Sequence, residues 1–346
     1  MMKLKVGIAG YGIVGKRRHK CIDHNPSLEL TAICDRNSYE AYDLPDDVKY
    51  FNKYTELLDE SLDVLIVCMT NDMAAEVTIA GLQKGMHVFC EKPPGRDVED
   101  IINVLNVEKN FPKAKLMYGF NHRHHGSIKD ALAIVQSNEM GKVINMRGVY
   151  GKSKIINFDQ SSWRTQRHIS GGGILLDQGI HMVDLMRLFG GEFYDVKSFV
   201  SNNYWGYDVE DNAYAIMRSD QGIIATLSSS ATQWRHQFSL EINLDLGSLI
   251  LRGILSGSKS YGSEQLTIIK VDHRNSNGDP QRDLTSYKND LSWQDGIDLF
   301  TKSIINDEKI DSGSSQDALH AMQLVFRIYY ADPEWRMEHG IQNPDN

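Results

Sequence analysis

From Lys3 to Ala9 the chain reads as a short buried strand that leads directly into Gly10-Tyr11-Gly12-Ile13-Val14-Gly15. Set between a short strand and an apolar helix, this G-x-G-x-x-G spacing restricts the start of the chain to the first turn of a dinucleotide-binding sheet. The first glycine permits the tight turn, the second lets the backbone approach a pyrophosphate, and the third lets helix and strand pack closely. The helix N-terminus that follows offers unpaired N–H groups and the positive end of a dipole to phosphates. A second strand, Leu28 to Cys34, ends at Asp35, about 20 residues after Gly15, where a carboxylate can bond ribose hydroxyls. Asp35 disfavours a 2′-phosphate while the adjacent Arg36 could accept one, so these residues favour NAD and leave NADP open.

Further apolar runs at Val64 to Met69, His87 to Cys90 and Lys115 to Tyr118 are separated by helical spacing, as in Val98, Ile101, Ile102 and Leu105. Strands alternating with helices imply α/β architecture: a parallel, doubly wound Rossmann sheet over residues 1–122. After about residue 122 the pattern changes. Phe238, Leu240, Ile242, Leu244 and Leu246 alternate with polar residues, the period of a strand with one wet face. Strand-like stretches near 142–151, 195–205, 212–219, 222–230 and 265–272 make residues 123–346 an α+β domain with a large, mostly antiparallel open sheet, for substrate binding and oligomerisation. Its C-terminal helices can pack back on the first domain. One of them shows a stripe of Ala318, Met322, Val325 and Tyr329 with Ser314 or Ser315 as N-cap. Ser256 to Ser263 and Asn275 to Pro280 read as surface loops.

The length, 346 residues, suits two domains. With 46 acidic against 37 basic side chains the balance argues against nucleic acid and anionic membrane surfaces, which are bound through clustered Lys and Arg. A small-molecule substrate is expected. Cys21, Cys34, Cys68 and Cys90 have neither C-x-x-C nor metal-like spacing, so reduced core thiols, no metal and a cytoplasmic setting follow. The apolar start is too short for a signal segment, and the longest apolar run, Val64 to Met69, falls far below the roughly 18 residues that span a bilayer.

Two segments can carry chemistry. Glu91-Lys92-Pro93 follows a strand, which places charged side chains at the carboxyl end of a parallel sheet, where such sheets bind ligands. Gly171-Gly172-Gly173 precedes Ile174 to Asp184, in which Asp177, His181 and Asp184 share a helix face at i, i+4, i+7. Asp184 reads as a structural residue.

Together with the glycine loop, Cys34-Asp35-Arg36, Gly85 to Pro93, Gly119-Phe120-Asn121-His122-Arg123, Gly171 to Asp184 and a tail from Trp293-Gln294-Asp295-Gly296 to Tyr330, the chain resembles the glucose–fructose oxidoreductase / inositol 2-dehydrogenase (Gfo/Idh/MocA) family. The resemblance implies an NAD(P)-dependent oxidoreductase acting on a secondary alcohol of a sugar, cyclitol or nucleotide sugar. Lys92, Asp177 and His181 match the positions of that family's catalytic Lys, Asp and His. In these roles His181 is the general base, Lys92 stabilises the substrate oxygen, and Asp177 orients the substrate or the imidazole. The implied cofactor contacts are Gly10, Tyr11, Gly12, Ile13, Val14, Gly15, Asp35, Arg36, Met69, Thr70, Asn71, Glu91, Lys92 and Asn121. Substrate contacts are implied for Lys92, Arg123, Trp163, Arg164, Arg167, Asp177 and His181; Asn121 and Arg123 could equally serve as hydrogen bonders at the domain junction. The chain departs from the family where Thr70 stands for a Pro and Ala74 for a His, and in Pro94-Gly95, changes that bear on the nicotinamide pocket.

Between Lys142 and His168, Lys142, Arg147, Lys152, Lys154, Arg164 and Arg167 face Asp159 alone. Either Arg164 or Arg167 holds an anionic group of a nucleotide sugar or uronate, or the segment is a solvated strand edge. The open sheet, with Trp205, Tyr214 and Trp234 as candidate anchors, and the habits of related proteins imply a homodimer or homotetramer. Two other functions share these motifs: an NAD-dependent glycoside hydrolase of the same fold, and a noncatalytic dinucleotide-binding regulator.

Overall fold

A computed structural model describes residues 3–37, 44–153, 162–256, 260–270 and 280–345. Lys154 and Asp159 of the basic segment, and residues 257–259 and 275–279 of the expected loops, lie outside these. The chain forms two compact units. The first comprises 1–121, 168–171 and 293–319; the second comprises 122–167, 172–292 and 320–346.

The first unit is a six-stranded parallel sheet of β1 (Leu4–Ala9), β2 (Leu28–Cys34), β3 (Lys49–Phe51), β4 (Val64–Val67), β5 (His87–Cys90) and β6 (Leu116–Tyr118). The spatial order is β3-β2-β1-β4-β5-β6, so the winding reverses between β1 and β4, and the glycine loop leaves β1 at that switch point. Helices α1 (Ile13–His24), α2 (Tyr54–Leu57), α3 (Asn71–Gln83) and α4 (Val98–Glu108) connect the strands. Every residue of β4 is buried, as expected of a strand covered on both faces. Val6, Ile8, Ile33, Ile66 and Phe89 form a core joined by Ile297 and Phe300, both from the later helix α8 (Ser292–Ile305).

The second unit holds an eight-stranded sheet ordered β14-β13-β12-β11-β7-β10-β9-β8. Its strands are β7 (Val143–Ser153), β8 (Phe193–Ser201), β9 (Asn212–Ser219), β10 (Ile224–Gln233), β11 (Gln237–Leu244), β12 (Gly247–Arg252), β13 (Glu264–Lys270) and β14 (Gln281–Tyr287). All neighbours are antiparallel except β7 and β10. Helices α5 (Gly126–Ser137), α6 (Arg167–Ser170), α7 (Ile180–Gly190), α9 (Ser315–Ala331) and α10 (Pro333–His339) complete the chain. The stripe Ala318, Met322, Val325 and Tyr329 on α9 is fully buried. Ser314 caps that helix: its hydroxyl accepts from Asp317 N at 3.1 Å while Asp317 Oδ2 accepts from Ser314 N at 3.0 Å. Among the described residues no helix is long and apolar enough to cross a membrane.

At the end of α7, Glu192 accepts from Arg187 Nε at 2.9 Å and lies 3.1 Å from His320 Nδ1. Burial pushes this carboxyl up, but hydrogen bonds from His320 and Arg187 outweigh it and hold it at about 2. Because the folded value lies below that of the unfolded chain, the stabilisation is complete above the ordinary glutamate range and is lost as pH falls towards 2. Urea unfolding of Glu192→Gln is therefore expected to show a deficit of about 2 kcal/mol at neutral pH that closes in strong acid.

Candidate active site

In the first unit the three loop glycines have three different surroundings. Gly10 has φ +91°, and a Cβ there would lie 2.4 Å from Cys68 O. At Gly15 a Cβ would lie 2.2 Å from Gly10 O, whereas at Gly12 it would meet nothing within 4 Å. Two glycines thus close the turn on itself, and the third leaves an open cradle over the start of α1, which fits a pyrophosphate. Gly15→Ala is expected to destabilise the unit, while Gly12→Ala unfolds like the parent but binds NAD on the order of tenfold more weakly, as thermal unfolding and calorimetric titration would show.

Asp35 is buried at the end of β2. Its Oδ2 accepts from Tyr11 N at 2.7 Å, and its Oδ1 accepts from Asn37 N at 3.0 Å. The carboxylate therefore holds the glycine loop from behind; Oδ1 also accepts from Asn37 Nδ2 at 2.8 Å, so it is Oδ2 that keeps acceptor capacity for a ribose hydroxyl. Tyr11 is buried beside it, its hydroxyl hydrogen-bonded to His19 Nδ1; Arg36 is exposed. Past β4, Met69 and Thr70 are half-buried and Asn71 opens α3, its Nδ2 donating to Ser170 O at 2.7 Å.

Glu91, Lys92 and Pro93 follow β5, with the Lys92–Pro93 peptide cis and Lys92 half-buried. Arg18 from α1 is fully buried, and its Nε donates to Glu91 Oε1 at 2.6 Å. The guanidinium lies between the rings of Phe89 and Trp293, 4.4 Å from each centroid. Within the unit Glu91 thus anchors the turn that carries Lys92, and Asn121 is buried beyond β6.

In the second unit the segment from Ile174 to Asp184 does not begin as the regular α-helix its spacing predicts. Leu175–Gly179 is a π-helical turn that passes into α7 at Ile180, so Asp177 and His181 are not in simple i, i+4 phase. Glu210, fully buried, takes the start of this segment in its carboxylate. Gly173 N donates to Oε2 at 2.7 Å, and Leu175 N and Tyr329 OH donate to Oε1 at 2.9 and 2.6 Å. Gly173 is required because a Cβ there would lie 2.0 Å from Glu210 O. Burial raises the Glu210 carboxyl above its ordinary range despite these bonds.

Asp177 has Lys152 Nζ at 3.5 Å and Arg164 Nε at 3.8 Å, and accepts from Gln178 Nε2 at 3.0 Å. His181 is 4% exposed, and the ring of His122 stacks on it at 3.7 Å between centroids and 14° between planes. Arg123 forks onto Asp184, Nε to Oδ2 at 2.7 Å and Nη2 to Oδ1 at 2.5 Å, both side chains buried. Asp184 is thereby structural, and Arg123 ties the segment before α5 to α7. Arg164 lies over Trp163 at 4.4 Å and faces Asp177; Arg167 Nε donates to Asp208 O at 2.9 Å and its guanidinium stacks on Trp335. Trp205, expected on the open sheet, instead lines a cleft with Arg164, Ile174 and Asp177. Glu210 and Tyr150 carried no motif in the sequence and Lys152 stood only within the basic segment; the acidic pair Glu210-Asp211 was the only signal for the first. Among the described residues no group of three or more His, Cys, Asp or Glu could hold a metal.

Residues 4–120 match the oxidoreductase family with an NAD-binding Rossmann fold, and residues 128–250 match the GFO/IDH/MocA C-terminal domain. The chain is 24% identical over 312 residues to an inositol 2-dehydrogenase of Salmonella paratyphi B, covering 88% of each chain. It is 29% identical over 255 residues to a D-glucoside 3-dehydrogenase of Escherichia coli, covering 66% of this chain and 70% of that one. The structure of a levoglucosan dehydrogenase in complex with NADH superposes with a TM-score of 0.81 at 20% identity, covering 96% of this chain and 98% of the other.

Proposed function

The chain belongs to the Gfo/Idh/MocA family of NAD-binding oxidoreductases, and from that premise we propose that it is a dehydrogenase for a secondary alcohol of a neutral sugar or cyclitol, with Lys92, Asp177 and His181 as its catalytic residues. The observation that carries this reading is the start of α7, where a buried carboxylate from elsewhere in the unit locks the segment that presents Asp177 and His181. Bound NAD supplies the acceptor for the two electrons and the carbon-bound hydrogen of the alcohol. The chain's own residues do the rest. His181 takes the hydroxyl proton, since an imidazole exchanges protons near neutral pH. Lys92 places a positive charge on the oxygen as it becomes a carbonyl oxygen. Asp177, held between Lys152 and Arg164, accepts hydrogen bonds from neighbouring hydroxyls. Arg164 faces Asp177, and Arg167 contacts Asp208 and Trp335. This disposition favours a neutral polyol over a nucleotide sugar. The four cysteines are unpaired, consistent with a cytoplasmic setting.

Purified protein supplied with NAD or NADP and screened against inositols, free sugars, glucosides and UDP-sugars should reduce the cofactor with a neutral polyol. Release of an aglycone without net reduction would replace this reading with the NAD-retaining hydrolase, and NAD binding with no turnover of any kind would replace it with the regulator. A homodimer or homotetramer through the open sheet face is part of the same reading. Phe199 and Tyr214 are cross-strand partners there and are 82% and 45% exposed, beside Ile216 at 59%.

A further inference from the structure

We propose that His122 is a positioning residue whose ring face is the platform on which His181 becomes an imidazolium; this rests on the assignment of His181 as the base. The two rings are nearly parallel at a centroid separation of 3.7 Å, and both residues are buried, at 7% and 4% exposure. In such a stack a flat polarisable ring favours one positive charge above it, whereas two charges at that distance repel, so the pair accommodates one added proton and not two. The surroundings of His122 assign that proton to His181. His122 Nε2 lies 3.2 Å from Tyr150 OH, and burial, acting with Tyr261 and Asp177, pushes that phenol well up, so it stays a neutral hydroxyl. The next ring along is His125, edge-on at 5.4 Å, whose Nδ1 is 2.8 Å from Glu264 Oε2, so that carboxylate is engaged by His125 and does not face His122.

On the side of α7, Asp184 is the nearest carboxylate along the helix and is already engaged by Arg123, with Arg187 at 3.8 Å. Asp177 lies one turn before His181, with Lys152 and Arg164 beside it. Phe238 packs 5.9 Å from His122 and adds no charge. The platform therefore works through the ring face of His122, and an uncharged aromatic ring should replace it.

The test is the pH dependence of kcat/KM for the polyol identified above, together with an NMR titration of the His181 ring, assigned by its loss in His181→Asn. His122→Leu, which removes the ring face, is expected to lower kcat by about tenfold and to move both the acid limb and the His181 titration down by about one pH unit. His122→Phe, which keeps the ring face, is expected to retain both. A His181 titration that stays in place in His122→Leu would overturn the proposal, as would His122→Phe behaving like His122→Leu. If His181→Asn keeps full activity, the assignment of the base fails instead, and the NMR titration still decides whether His122 governs the charge on His181. Should His122→Leu not fold, the comparison of parent with His122→Phe by the same titration decides.

Discussion

Lys92→Met is expected to lower kcat/KM for alcohol oxidation by roughly 10²–10⁴-fold while leaving NAD affinity within about threefold of the parent. The methionine keeps most of the length and the apolar stem of lysine and removes the ammonium, with its charge and its hydrogen-bond donors. Lys92 follows β5 at the carboxyl end of a parallel sheet, between the anchored Glu91 and the buried Pro93. Its ammonium is therefore presented from a fixed turn, so charge lost there is not replaced by rearrangement of a loop. Fluorescence titration with NAD and initial-rate measurements on the same preparation separate the two quantities. A variant that loses both together would mark Lys92 as a cofactor-binding residue and not a catalytic one.

Arg18→Met is expected to cost about 3–5 kcal/mol of stability, because it leaves the mostly buried Glu91 carboxylate without its charge partner. The side chains of the pair are 1% and 11% exposed, and Arg18 Nη1 also donates to Trp293 O at 3.1 Å. Loss of the guanidinium therefore removes the ion pair, the two ring contacts and the tie to α8 together. A drop in melting temperature on the order of 10 °C should follow. Arg18→Met combined with Glu91→Met should recover more than half of the loss, since replacing both charges by apolar groups removes the stranded one. A double variant no more stable than Arg18→Met would show that the stacking between Phe89 and Trp293, and not the charge pair, carries the stability.

The parts of this protein legible in the sequence are those whose physics is local. The glycine loop, Asp35 and the turn of Glu91-Lys92-Pro93 are decided by backbone sterics and by their place at strand ends. The alternation of β11 and the stripe of α9 announce one buried face each. β14 was not anticipated because Gln281–Tyr287 is polar on both faces, as an edge strand can be. β12 was missed because Leu249-Ile250-Leu251 is a short unbroken apolar run without alternation, and its six residues follow β11 after a single tight turn and merge with it in the pattern.

What the sequence by itself determined is the Rossmann sheet followed by a mostly antiparallel one, and the dinucleotide loop. Only the tertiary structure decided how their side chains are held. The return of α8 to the first unit, the pairing of Arg18 with Glu91 73 residues away, the grip of Glu210 on a helix start 35 residues before it and the stacking of His122 on His181 all join distant segments. Such contacts form because buried charges and unpaired backbone groups must find partners wherever packing places them, and no local periodicity encodes which partner that is.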